Sequence, residues 1–288
     1  MRQLPILAFF LSGASSLMFQ TLWTRMLSHV FGSTSVAIST GLTAFMGGLG
    51  LGAWLLSRHA HRVRRPLLLY GAAELLVAAW ALALPGWVDP EGWLAGLNAT
   101  LHAGLEPTSL GMAMARFACV LPILLVPTTL MGATLPLLAL HESSRFESPG
   151  EASASVGKLY AVNTFGAVCG TLGSGFLLMP ALGAANANQI AAGINVVLCL
   201  AMCAQHAWAA SGSRAESAPG VPGARRLEHA PDGPTRGPAA QPMDRLMRRV
   251  ALVSYGISGA CALTYEVVWS RALSMAIGSS VYSFALIL

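Results

Sequence analysis

The sequence predicts an all-α polytopic membrane protein, and three observations carry that expectation. Hydrophobic residues make up 55% of the chain and charged ones only 10%, against about a quarter charged in an ordinary soluble domain. Apolar runs of roughly twenty residues recur, each long enough to cross a ~30 Å hydrocarbon core as a helix. The opening motif also returns, in the same residue order, near the carboxy end.

Hydropathy places spans at residues 4–24, 35–56, 67–86, 115–140, 159–180, 186–206 and 249–270, with an eighth starting near Ser279. The expectation is therefore about seven transmembrane helices plus a truncated eighth. The first stretch, MRQLPILAFFLSGASSLMF, has the look of a secretory leader, but its internal copy argues for a retained span. The third is interrupted only by Glu74. The fourth carries Pro122, Pro127 and Pro136, which predict bends where backbone hydrogen bonds are lost. All five cysteines lie in apolar runs and read as small packing residues. Cys199 and Cys203 share a helix face but have no further ligands nearby, so no metal site is expected.

Basic residues sort the loops. Sixteen of the seventeen are Arg, and most sit in short segments between apolar runs, which reads as a topology signal rather than a nucleic-acid surface. Arg58, Arg62, Arg64 and Arg65 crowd the segment after the second span. Placing that segment in the cytoplasm puts the amino terminus there too, with Arg145, Lys158 and the basic stretch around Arg225 and Arg245. The opposite loop, 87–113, holds Asp89, Glu91 and Glu106 and no basic residue, and its Trp87 and Trp93 suit an interfacial belt. Arg25, Arg116 and Arg271 fall outside this sorting, near the outer ends of spans. Residues 209–248 are rich in Gly, Pro, Ala and Arg without apolar periodicity, so they separate a first unit (1–208) from a third (249–288) as a disordered basic cytoplasmic linker.

The repeat aligns without a gap when Ser12 is set on Ser258. Gly13 then meets Gly259, Leu17 meets Leu263, Trp23 meets Trp269 and Arg25 meets Arg271; Leu27, Ser28, Gly32 and Ser33 meet Leu273, Ser274, Gly278 and Ser279. Matching Trp, Arg and Gly is not expected from shared hydrophobicity alone. Six spans separate the two starts, so both copies enter the membrane in one direction. Such a parallel repeat is the layout of major-facilitator-like folds, whose substrate sites lie between two six-helix halves.

These segments resemble a bacterial family of membrane proteins in which a major-facilitator-like domain is fused to, or related to, spermidine synthase. The residues carrying the resemblance are SGASSLMFQTLWTRMLSHVFGST, AFMGGLGLGAWLLSRHAHRVRRPLLLYGAAEL, PTTLMGATLPLL, GKLYAVNTFGAVCGTLGSGFLLMPALG and YEVVWSRALSMAIGSS. The resemblance implies a multi-pass protein of the bacterial inner membrane. It further implies a polyamine as the cationic ligand, and as partner a soluble aminopropyltransferase-like domain or a second transmembrane half. This chain reaches Leu288 without a strand followed by a glycine loop and an acidic residue, so neither catalytic residues nor a cofactor are expected in it. The Gly47–Gly52 run lies within an apolar span and reads as helix packing rather than a nucleotide loop. In the basic loop, His61 stands where the major-facilitator motif has an acidic residue.

The residues that could carry chemistry are Arg25, Glu74, Asn163, Glu266 and Arg271. An ionisable group at the centre of a span costs about 2.5–3.5 kcal/mol on insertion scales, so each needs a partner or a wet cavity. Glu74, near mid-span, is either a cation or proton site or one half of an interhelical pair with Arg116 or Arg25. Glu266, the counterpart of Gln20, adjoins Arg271 along its own helix. The repeated Trp–Arg also fits interfacial anchoring. Asn163, followed by Gly166 and Gly170, opens a face of small residues for close helix approach, with ligand contact as the alternative. Three functions remain open: a transporter-like domain for a cation such as a polyamine, the membrane anchor of an aminopropyltransferase, and a membrane scaffold.

Overall fold

The computed structural model describes residues 4–31, 35–106, 109–143, 148–216, 245–277 and 285–287. It is all-helical, with no strand among the described residues. The helices are α1 (Leu4–Phe31), α2 (Ser35–His59), α3 (Pro66–Val88), α4 (Trp93–Gly104), α5 (Leu110–Ser143), α6 (Pro149–Leu172), α7 (Met179–Glu216) and α8 (Arg245–Ile277). Six helical runs among the described residues are long and apolar enough to cross a membrane. The longest of them, Ser153–Trp208, covers 56 residues and joins α6 to α7 through a π-helical turn at Gly173–Leu178.

Local chemistry explains several boundaries. Pro66 and Pro149 begin α3 and α6, where the missing N–H costs nothing and the fixed φ suits a first turn. Within α7, Gly183 takes φ 80° and ψ 165°, a conformation closed to residues with a Cβ, and breaks the helix there. The prolines of α5 lie inside one continuous helix. Thr128 and Thr129 on that helix donate to the carbonyls of Leu124 and Leu125, each at 2.6 Å, so neither hydroxyl is stranded in an apolar setting.

Two departures from the sequence expectation concern loops. Residues 93–104, expected within a loop, form α4, which at about 18 Å is too short to cross. The segment expected as a disordered linker from 209 is helical as far as Glu216, and helix resumes at Arg245; the linker expectation for residues 217–244 lies outside the described residues.

The chain forms two units, Met1–His206 with Glu266–Leu288, and Ala207–Tyr265. In the larger, glycine-lined crossings set the helix pairs. A Cβ on Gly166 would overlap the Phe10 carbonyl, and one on Gly170 the Ala14 carbonyl; the same holds for Gly52 against Thr129 and Gly132 against Leu49. Contacts that advance together along both chains make α1 parallel to α6 and α2 parallel to α5. On α7, Asn188 meets Ala81 of α3 while Cys199 lies against Gly71, so α7 runs antiparallel to α3. The chain therefore turns back at Gly183. The smaller unit contains the last turns of α7 and the α8 stretch before Glu266, where Leu252, Val253, Tyr255 and Ile257 are exposed.

Two apolar clusters fill the larger unit. One gathers Phe9, Leu67, Tyr70, Leu138, Leu159 and Met202, toward the start of α1 and α3. The other gathers Phe19, Trp23, Phe45, Val77, Leu84 and Leu124, toward their ends. The α1 stretch between Phe9 and Met18 and the α3 stretch between Tyr70 and Val77 lie at the level between the clusters.

Candidate functional site: a buried carboxylate between two apolar clusters

Glu74 sits at that level. It is 2% exposed, and its Oε1 accepts a hydrogen bond of 2.6 Å from the Ser12 hydroxyl of α1. The expected partners Arg116 and Arg25 are not the ones found. Arg116 instead donates through Nη2 to Nε2 of His102 on α4, at 2.9 Å, and Arg25 lies toward the far end of α1, its carbonyl accepting from the Ser28 hydroxyl. Among the described residues no cationic side chain meets Glu74. One turn earlier on α3, the buried Tyr70 places its hydroxyl beside Ser12 and Glu74 without hydrogen-bond geometry to either.

The neighbours of Ser12 explain why it can reach α3. Gly13 faces α6, where a Cβ would overlap the Asn163 carbonyl and lie 2.8 Å from the Asn163 Oδ1. Ser15 turns its hydroxyl onto the Ser12 carbonyl at 3.1 Å. A short run of α1 thus packs backbone-close on α6 with one residue and offers a hydroxyl to α3 with the one before. Asn163 belongs to the α1–α6 crossing.

A second polar node ties the same helices toward the other end. Trp23 on α1 donates Nε1–H to Asn188 Oδ1 at 2.9 Å, and Asn188 donates Nδ2–H to the Ala81 carbonyl at 2.6 Å. Asn195, two turns along α7 toward Glu74's level, is 1% exposed and its Oδ1 has no partner. Gln20, also 1% exposed, has neither amide atom paired. The interior therefore holds a carboxylate and several unsatisfied polar atoms, the kind of group that a ligand or ordered water completes.

On α8, Glu266 is half-buried with Oε1 unpartnered, while Arg271 is exposed. Sequence reasoning singled out Glu74 and Asn163 but missed the contacts of Ser12, Tyr70 and Asn188, and it read Trp23 as an interfacial anchor, whereas the ring is 1% exposed and bonded to Asn188 in the interior. The return of Ser12 and Trp23 as Ser258 and Trp269 was the available signal for two of these residues. No protein-family model, curated protein or solved structure matches the chain.

Proposed function

We propose that this chain is a transporter-like domain of the major-facilitator type that handles a small organic cation such as a polyamine, with Glu74 as its intramembrane binding carboxylate. The observation that carries the proposal is a fully buried acid, level with the gap between two apolar clusters, whose partner is a hydroxyl rather than a cation. A glutamine at residue 74 would accept the same Ser12 hydrogen bond without the cost of an ionisable group in a span, so packing alone does not call for an acid. The parallel α1–α6 and α2–α5 pairs and the turn at Gly183 support seven crossings, with α4 lying outside them. The arginines at 58, 62, 64 and 65 support a cytoplasmic placement for the α2–α3 end of the bundle in a bacterial inner membrane.

The test is uptake of labelled polyamine into vesicles reconstituted with the full chain. Glu74→Gln keeps the Ser12 bond and the fold, and uptake is expected to fall at least about ten-fold, the equivalent of about 1.4 kcal/mol. Equal uptake by wild type and Glu74→Gln would remove Glu74 from any transport role.

A further inference from the structure

Away from Glu74, the larger unit contains a cavity of about 770 Å³ where the ends of α1 and α3 meet α4 and the start of α7. That volume is within the range of small-molecule sites. Met26, Val30 and Val88 supply apolar wall. The polar groups on it are Asp89, Asn98, His29 and His102.

We infer that this cavity is a binding vestibule for an alkylammonium ion, its charged head on Asp89 and its methylenes against Met26, Val30 and Val88. The sign follows from the acceptors. Asp89 uses Oδ1 to accept the Glu91 N–H at 3.2 Å, which fixes the carboxylate at the turn into α4 and leaves Oδ2 for a ligand. Asn98 donates Nδ2–H to the Val30 carbonyl at 2.8 Å, and its Oδ1 is an acceptor with no partner. His102 accepts from Arg116 on Nε2; a guanidinium has no acceptor, so the ring proton of His102 lies on Nδ1 and the ring is neutral. His29 is the other imidazole on the wall, and Arg116, bonded to His102, does not itself line the cavity. The 87–113 segment carries Asp89, Glu91 and Glu106 and no Lys or Arg. A carboxylate with one oxygen free and an apolar wall suit a group that brings hydrogen-bond donors, positive charge and a short hydrocarbon chain.

The vestibule rests on the cation-handling proposal for Glu74, and the two can fail separately. Titration calorimetry on the full chain carrying Glu74→Gln, in detergent, with n-butylammonium and 1,4-diaminobutane as probes and butyrate as the anionic control, reads the vestibule apart from Glu74. The expected result is saturable binding of the ammonium probes at one site and none of butyrate. Asp89→Asn should weaken binding at least ten-fold. Ala99→Trp, which fills the cavity from α4, should abolish it. Tighter binding of butyrate, non-saturable binding, or affinity unaltered in both Asp89→Asn and Ala99→Trp would overturn the vestibule. Loss of binding in Glu74→Gln would place the site at Glu74 instead. Uptake that is insensitive to Glu74→Gln while calorimetric binding persists would remove the Glu74 proposal and leave the vestibule standing.

Discussion

The starts of α1 and α8 carry the same Ser–Gly pair and, eleven residues after the Ser, the same Trp, yet their surroundings differ. Within the α1 span the most apolar window is 67% buried; in α8 it is 0% buried. Ser12 reaches Glu74, Gly13 lies on the Asn163 backbone and Trp23, 1% exposed, bonds Asn188. Ser258 is exposed, a Cβ on Gly259 would meet no neighbouring helix among the described residues, and Trp269 is 57% exposed. The motif is therefore one half of a set of contacts, and the other half resides on α3, α6 and α7. Lipid offers no hydrophobic drive for helices to associate, so close small-residue packing and a few hydrogen bonds must hold them. A helix can carry the whole motif and stay unpacked where those partners are missing from its surface.

The largest test of that difference is steric. Gly13→Val drives a side chain into the Asn163 carbonyl, backbone that cannot swing aside, and should cost about 3 kcal/mol or more. Gly259→Val, at the matched motif glycine of α8, meets open space and should change stability by no more than about 0.5 kcal/mol. Unfolding of the two variants in mixed detergent micelles checks the contrast. Equal losses would mean that α8 is packed as tightly as α1.

The spans and their glycine faces were legible because each depends on a local property. Apolar length identifies a crossing, and the small residues at Gly48, Gly52, Gly166 and Gly170 leave room wherever a second backbone passes. Glu74 was legible as a charge in an apolar run. Its partner was not, since charge suggests an opposite charge, whereas serine in a helix can satisfy itself on its own backbone, as Ser15 does. Arg116 was drawn to His102 on α4, a helix too short and too near the span ends to stand out in hydropathy. Asn188 has no signature at all: its two bonds join α1 to α3 across distant sequence, and only the fold brings them together.

The next effect is smaller and tests the second node. Trp23→Phe keeps the stacked contact with Phe19 but removes the Nε1–H, leaving Asn188 Oδ1 a buried acceptor without a donor. A loss of about 1–2 kcal/mol is expected. Trp269→Phe should change stability little, because its indole has no hydrogen bond among the described residues and the ring is exposed. A double-mutant cycle with Asn188→Ala should show coupling for Trp23 and none for Trp269.

The smallest expected difference lies at the residue that touches the candidate site. Ser12→Ala removes the one donor to Glu74 Oε1 among the described residues, and interhelical hydrogen bonds in membranes average about 0.6 kcal/mol with a maximum near 1.7. A loss of about 1 kcal/mol is therefore expected for Ser12→Ala, and almost none for Ser258→Ala. The informative measurement is uptake rather than unfolding. If Ser12 only braces the helices, Ser12→Ala lowers stability while cation uptake per folded molecule is unchanged. If Ser12 orients the Glu74 carboxylate for a ligand, KM for the cation rises several-fold, and Ser12→Thr, which keeps the hydroxyl, restores it. Rescue by Thr would tie the buried half of the repeated motif to the chemistry of Glu74, and its failure would leave the motif a packing device in both copies.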